Sequence, residues 1–133
     1  RLIAWGEQRG DSPYALHVER SRLARAWSGF FDAWPVVIGP TLAAPIWPVD
    51  ADLDPVEGLP LLDRATRFVL PANLLGLPAV TLPVGLDDGL PQSVQVMADL
   101  WREDLCFEAA EVIERAAPRL TPVDPRGPAP RAG

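Results

Sequence analysis

Residues 73–96 read NLLGLPAVTLPVGLDDGLPQSVQV, and the way this stretch breaks its own apolar runs decides the fold class. Gly-Leu-Pro occurs here at Gly76 and Gly89, and once before at Gly58; Leu-Pro occurs five times between Leu59 and Pro91. Proline lacks the N–H that a central strand needs, so it is tolerated at element edges and turns. Pro71, Pro78, Pro83 and Pro91 are therefore expected at the edges of short elements, and each glycine before Leu-Pro is expected to supply a left-handed residue closing the element before it. The spacing predicts a strand over 79–84, a turn at LDDGLP, and a return strand over 93–97 with Val94 and Val96 alternating against a polar face of Ser93 and Gln95.

Upstream, Ser12-Pro13 is a helix start, a hydroxyl cap followed by proline at the first helical position. Leu16, Leu23, Trp27, Phe30 and Trp34 recur at helical spacing until Pro35. VVIGPT, residues 36–41, is a continuous β-branched run and reads as a strand buried on both faces. A proline- and aspartate-rich connection leads to a helix expected over 62–70, after which Pro71 opens a further turn that Gly76 closes. Residues 103–117 form an amphipathic helix with Leu105, Ala109, Val112 and Ala116 on one stripe. The reading is α/β, with residues 1–117 as one unit and residues 118–133 as a Pro-rich, disordered tail, within which deletion of residues 121–133 is expected to leave stability unchanged. The three Gly-Leu-Pro copies are unevenly spaced and do not make a structural repeat.

Composition narrows the function classes. The 133 residues are nearly half apolar with a net charge of −6, and all 12 basic residues are arginine. Scattered arginines on an acidic chain give no electrostatic footprint for nucleic acid or an anionic membrane. No apolar run approaches the roughly 20 residues of a membrane span, and the single cysteine points to a reducing, cytoplasmic compartment. The chain starts at Arg1, with its one methionine at Met97, and is read as a piece of something longer.

Individual residues offer little chemistry by spacing. Asp50, Asp52 and Asp54 are spaced like the start of a calcium loop, but Pro55 stands where that loop needs glycine and Leu61 where it needs glutamate, so no metal is assigned. His17 and Cys106 lack an orienting third group, and Cys106 sits beside Leu105 as a small hydrophobe. Ser93 reads as the polar face of a strand, Glu108, Glu111 and Glu114 as a solvated helix face, and Trp47 as packing or a ligand wall.

Three blocks together resemble the carboxy-terminal part of the amidase signature family: RSRLARAWSGFFDAWPVVIGPT, PANLLGLPAVTLPVGLDDGLPQSVQV and WREDLCFEAAEVIE. The resemblance covers about residues 12–117. It departs from the family pattern at Pro35 (usually aspartate), at Gln92 and Ser93 (usually an apolar residue then glycine) and at Ala98 (usually glycine), which touches local packing and leaves the strand pattern intact. The resemblance implies a mixed β-sheet core flanked by helices, and hydrolysis of a small-molecule amide to carboxylate and ammonia or amine without a cofactor. It implies no catalytic residue in this chain: the family's two serines, its lysine and its backbone oxyanion donors lie in the amino-terminal half, the expected partner of this segment, and the sequence has no lysine to serve as base. The family also leaves room for a homodimer. By resemblance, the substrate-binding wall falls to Pro40 and Thr41 at the strand end and to Thr66. Thr66 stands seven residues before Asn73, where the A subunits of glutamine-dependent tRNA amidotransferases carry an aspartate for the substrate α-ammonium. Two other readings remain, such an A subunit and a non-enzymatic fragment or pseudogene product.

Overall fold

The computed structural model describes residues 12–119. Both ends of the chain, including almost all of the expected tail, lie outside the described residues. Helix α1 spans Pro13–Phe31, strand β1 Val36–Pro40, a 3-10 turn Ala51–Leu53, helix α2 Gly58–Ala65, helix α3 Val69–Leu75, strands β2 Ala79–Asp87 and β3 Leu90–Ala98, and helix α4 Glu103–Ala116. The strands make one antiparallel sheet in the order β1-β3-β2. The result is a mixed α/β fold with a three-stranded sheet between helical layers.

The start of α1 is as the sequence reads: Ser12 is the N-cap, its Oγ accepting the Ala15 N–H at 3.2 Å, with Pro13 at the first helical position. The apolar stripe is displaced from the expected one, of which only Leu23 and Trp27 face the core. Phe31 is buried while Phe30, Leu16 and Trp34 are exposed, because Leu23, Ala24 and Trp27 carry the helix face that meets the sheet and Phe31 continues it. Phe31, Ala72, Leu75, Leu77 and Met97 form the core on this side, joined by Val37. Arg20 fastens α1 to α3: its Nε donates to the Leu74 carbonyl at 2.7 Å and its Nη2 to the Leu75 carbonyl at 3.1 Å, supplying donors where a helix end leaves carbonyls unpaired.

On the other face, α4 lies over β2 and β3 more than over β1. Its inward stripe runs through Leu105, Cys106, Ala109, Ala110 and Ile113, so Val112 and Ala116 of the expected stripe point to solvent. The same offset corrects the expectation for β1. Ile38 is 52 % exposed, since α4 does not reach far enough across the sheet to cover it. It is β3, paired on both sides, that is covered on both faces, and Gln95, Val96, Met97 and Ala98 are all buried. The face of Gln95 is therefore a packed surface beneath α1 and the α2–α3 turn.

The prolines partly behave as expected. Pro78 precedes β2, but Pro83 sits inside it, next to a bulge between Pro83 and Gly85 that absorbs the mismatch on an outer strand. Pro91 lies within β3, and Pro71 is the third residue of α3. Gly76 and Gly89 have φ of 75° and 76°, closing α3 and the β2–β3 turn, whereas Gly58 opens α2 and is needed because a Cβ there would strike the Asp52 carbonyl. The helix expected over 62–70 is two helices broken at residues 66–68. Among the described residues, no helix is long and apolar enough to cross a membrane.

Candidate functional site: a strand tip beneath a helix–helix turn

The three residues assigned to a ligand wall come from two elements that the chain ties together. At the tip of β1, Pro40 pairs with Val94 and the Thr41 N–H reaches the Ser93 carbonyl at 3.3 Å. Two residues on, the Ala43 N–H donates to the Ala65 carbonyl at 2.8 Å, which brings the last residue of α2 against the loop leaving the sheet. Thr66 follows directly as the C-cap of α2. Its carbonyl accepts the N–H groups of Val69 and Leu70, both at 2.9 Å, and so starts α3.

A second anchor holds the turn from below. Gln95, 5 % exposed, donates from Nε2 to the Phe68 carbonyl at 3.1 Å. Gln95 stands opposite Gly39 on β1 and Thr81 on β2, so its side chain rises from the middle of the sheet. Gly39 has no side chain where the Phe68 ring lies, and a Cβ there would run into that ring. Thr66 is thus fixed between two carbonyls, Ala65 held from the loop and Phe68 held from the strand. In the sequence Gln95 is the polar half of an alternation and the glutamine that ends the Gly-Leu-Pro-x-x-x-Gln part of the block resembling the amidase family. The signal that singles it out is a glutamine rising opposite a glycine, and that pairing needs the register of β1 on β3.

The hydroxyls of the wall are in different states. Thr66 Oγ1 donates to the Leu62 carbonyl at 2.8 Å, a back-bond to its own helix. Thr41 Oγ1 is buried and has no hydrogen-bond partner among the described residues. Leaving such a buried oxygen unpaired costs about 1–3 kcal/mol. Leu42, Ile46 and Phe68 expose apolar surface nearby in the chain. Arg67 is directed to Asp63 at 3.3 Å, with both side chains largely exposed.

The other sequence candidates lie elsewhere. Asp54 Oδ1 accepts the N–H groups of Val56 and Glu57, each at 2.8 Å, and these bonds, the Glu57 one foremost, lower its carboxyl pKa. Its job is to shape the turn into α2, and among the described residues no His, Cys, Asp and Glu side chains gather as a metal site. Cys106 is buried, its Sγ 3.5 Å from the Pro78 carbonyl, and burial pushes its thiol pKa up, helped by Glu103. His17 is exposed on α1, far along the chain from Cys106. Glu108, Glu111 and Glu114 are exposed on α4.

The Amidase family model matches residues 6–107, about three quarters of the sequence. This chain belongs to the amidase family. Over 94 residues it is 40 % identical to an indoleacetamide hydrolase of Bradyrhizobium japonicum, which covers 70 % of this chain and 20 % of the relative. A fatty acid amide hydrolase of Arabidopsis thaliana is 37 % identical over 102 residues, covering 74 % of this chain and 17 % of the relative. Among solved structures, the A subunit of glutamyl-tRNA(Gln) amidotransferase from Thermotoga maritima superposes with a TM-score of 0.71 at 25 % identity, covering 88 % of this chain and 25 % of that one. The amidase segment seen here spans about a fifth of the length of the curated relatives it matches.

Proposed function

We propose that this chain is the carboxy-terminal portion of a C–N hydrolase and forms one wall of its amide pocket. The nucleophilic serine, the second serine and the lysine base are supplied from outside these 133 residues. Family membership supports amide hydrolysis, and the absence of lysine from the sequence supports a base held elsewhere. The substrate is a neutral amide, and Thr66 carries that choice. It is an uncharged residue locked between two anchors, two residues before the apolar Phe68, where an α-ammonium group would need a carboxylate. The hydrolases named above match at 40 % and 37 % identity and the curated amidotransferase A subunits at 29–32 %, which favours the hydrolase reading.

The apolar surface left open on this segment, including Trp34, Ile38 and a groove of about 320 Å³ lined by Ala26, Trp27, Phe30 and Val37, is covered by the rest of the polypeptide in this reading. A single buried cysteine fits a reducing cytoplasmic compartment, and no nucleic acid or membrane is required. The test is ammonia release from glutamine and from simple aliphatic and aromatic primary amides by the full-length polypeptide carrying this segment. Hydrolysis of the neutral amides with weak glutamine turnover is expected. A clear preference for glutamine would instead support the amidotransferase subunit, and no amide hydrolysis at all the non-enzymatic reading.

A further inference from the structure

We propose that Gln95 is a positioning residue for this amide pocket, setting where Thr66 stands relative to the tip of β1; the proposal rests on the amidase reading above. Gln95 touches neither a reacting atom nor a proposed wall residue directly. Its buried side chain crosses from the central strand to the Phe68 carbonyl at 3.1 Å, two residues beyond Thr66. The neighbouring strand leaves Gly39 opposite it, so the Phe68 ring settles onto bare backbone. The α2–α3 turn is held by this latch on one side and by the Ala43–Ala65 hydrogen bond on the other. A helix–helix turn with only one anchor can pivot about it. Removing the latch lets Thr66 swing while the Ala65 end stays attached to the β1 loop, so the distance between Thr66 and Thr41 becomes variable. A pocket wall displaced by about 1 Å can cost up to about a hundredfold in rate for a substrate that depends on it.

A residue that only stabilises the fold lowers the amount of active protein and scales all substrates equally. A residue that positions the wall alters the ratio between substrates. The experiment therefore measures kcat/KM of the full-length polypeptide for two neutral amides, one with a short aliphatic and one with a bulky aromatic acyl group, and takes their ratio. Gln95→Met keeps the length of the side chain and removes the donor. Gly39→Ala pushes on the Phe68 ring from the opposite strand and leaves the hydrogen-bonding groups in place. Both are expected to shift the substrate ratio in the same direction by about tenfold, through KM for the aromatic amide, with kcat for the short amide within about threefold of the parent. The ratio is independent of how much protein folds, so either variant with residual activity decides the matter. A ratio unchanged in the variant that can be assayed, or a shift with Gly39→Ala and none with Gln95→Met, overturns the proposal. If the unmodified polypeptide hydrolyses neither amide, the amidase reading itself fails, which is a separate and distinguishable outcome.

Discussion

Replacing Thr66 by aspartate probes the selectivity of the proposed pocket at the residue proposed to carry it. The cost to the fold is small and can be followed through the contacts. The change removes the hydrogen bond from Oγ1 to the Leu62 carbonyl, worth about 0.5–1.5 kcal/mol. A carboxylate at the C-cap of α2 meets the negative end of that helix, an unfavourable contact of about 0.3–1 kcal/mol. The same carboxylate sits three residues before Val69, the start of α3, where the helix end favours negative charge by a similar amount. The net loss is about 1 kcal/mol, and the variant should fold. An ammonium meeting that carboxylate in a partly closed pocket gains about 1.5–3 kcal/mol, the range of charge-assisted hydrogen bonds. Glutamine turnover by the full-length Thr66→Asp polypeptide should rise about ten- to a hundredfold in kcat/KM, while turnover of a neutral aromatic amide falls. Arg67, directed toward Asp63, is not aimed at the new carboxylate and leaves the gain intact. Coupled detection of released ammonia reads both substrates. Unaltered glutamine turnover, in a variant that still hydrolyses the neutral amide, would refute the reasoning.

Arg20→Ala should expose the last carbonyls of α3 and lower hydrogen-exchange protection at Gly76 and Leu77, whose N–H groups bond to Ala72, by about tenfold; unchanged protection would show that Arg20 only rests on the helix end. Cys106 should react with iodoacetamide at pH 8 far more slowly than a free thiol, because burial raises its pKa and blocks access, and rapid labelling in the folded protein would contradict the packing of α4. The Asp54 carboxyl, held by two backbone N–H groups, should titrate below the usual value of about 3.9. Its folded pKa is depressed, so its stabilising contribution is complete above the unfolded pKa and disappears as pH falls through the folded one. An NMR titration placing it at or above the unfolded value would show that the turn does not hold.

Much of the fold could be read from local chemistry, where the cause is within a few residues. Ser12-Pro13 marks the start of α1, and Asp88-Gly89 fixes the hairpin because few other pairs accept positive φ at both positions. Errors arose where a tertiary neighbour decides the outcome. Periodicity cannot separate Phe30 from Phe31, or centre the α4 stripe on Cys106, since a rotation of one residue depends on where the sheet lies. A β-branched run looks the same in an outer strand as in a buried one, and only the reach of α4 shows that Ile38 is uncovered. The assignment of Pro40, Thr41 and Thr66 to a substrate wall rests on family resemblance. The structure brings the Thr41 loop and the Thr66 turn together, while the latch through Gln95 depends on strand register that no single stretch of sequence carries.

The central claim is that the Thr41 and Thr66 ends of this segment face the bound amide. The most direct measurement is a crystal structure of the full-length polypeptide, with its proposed lysine base replaced, soaked with a slowly hydrolysed aromatic amide. The account predicts ligand atoms within about 4 Å of both threonine side chains. An amide bound away from the tip of β1, with Thr41 and Thr66 both buried against protein alone, would contradict it.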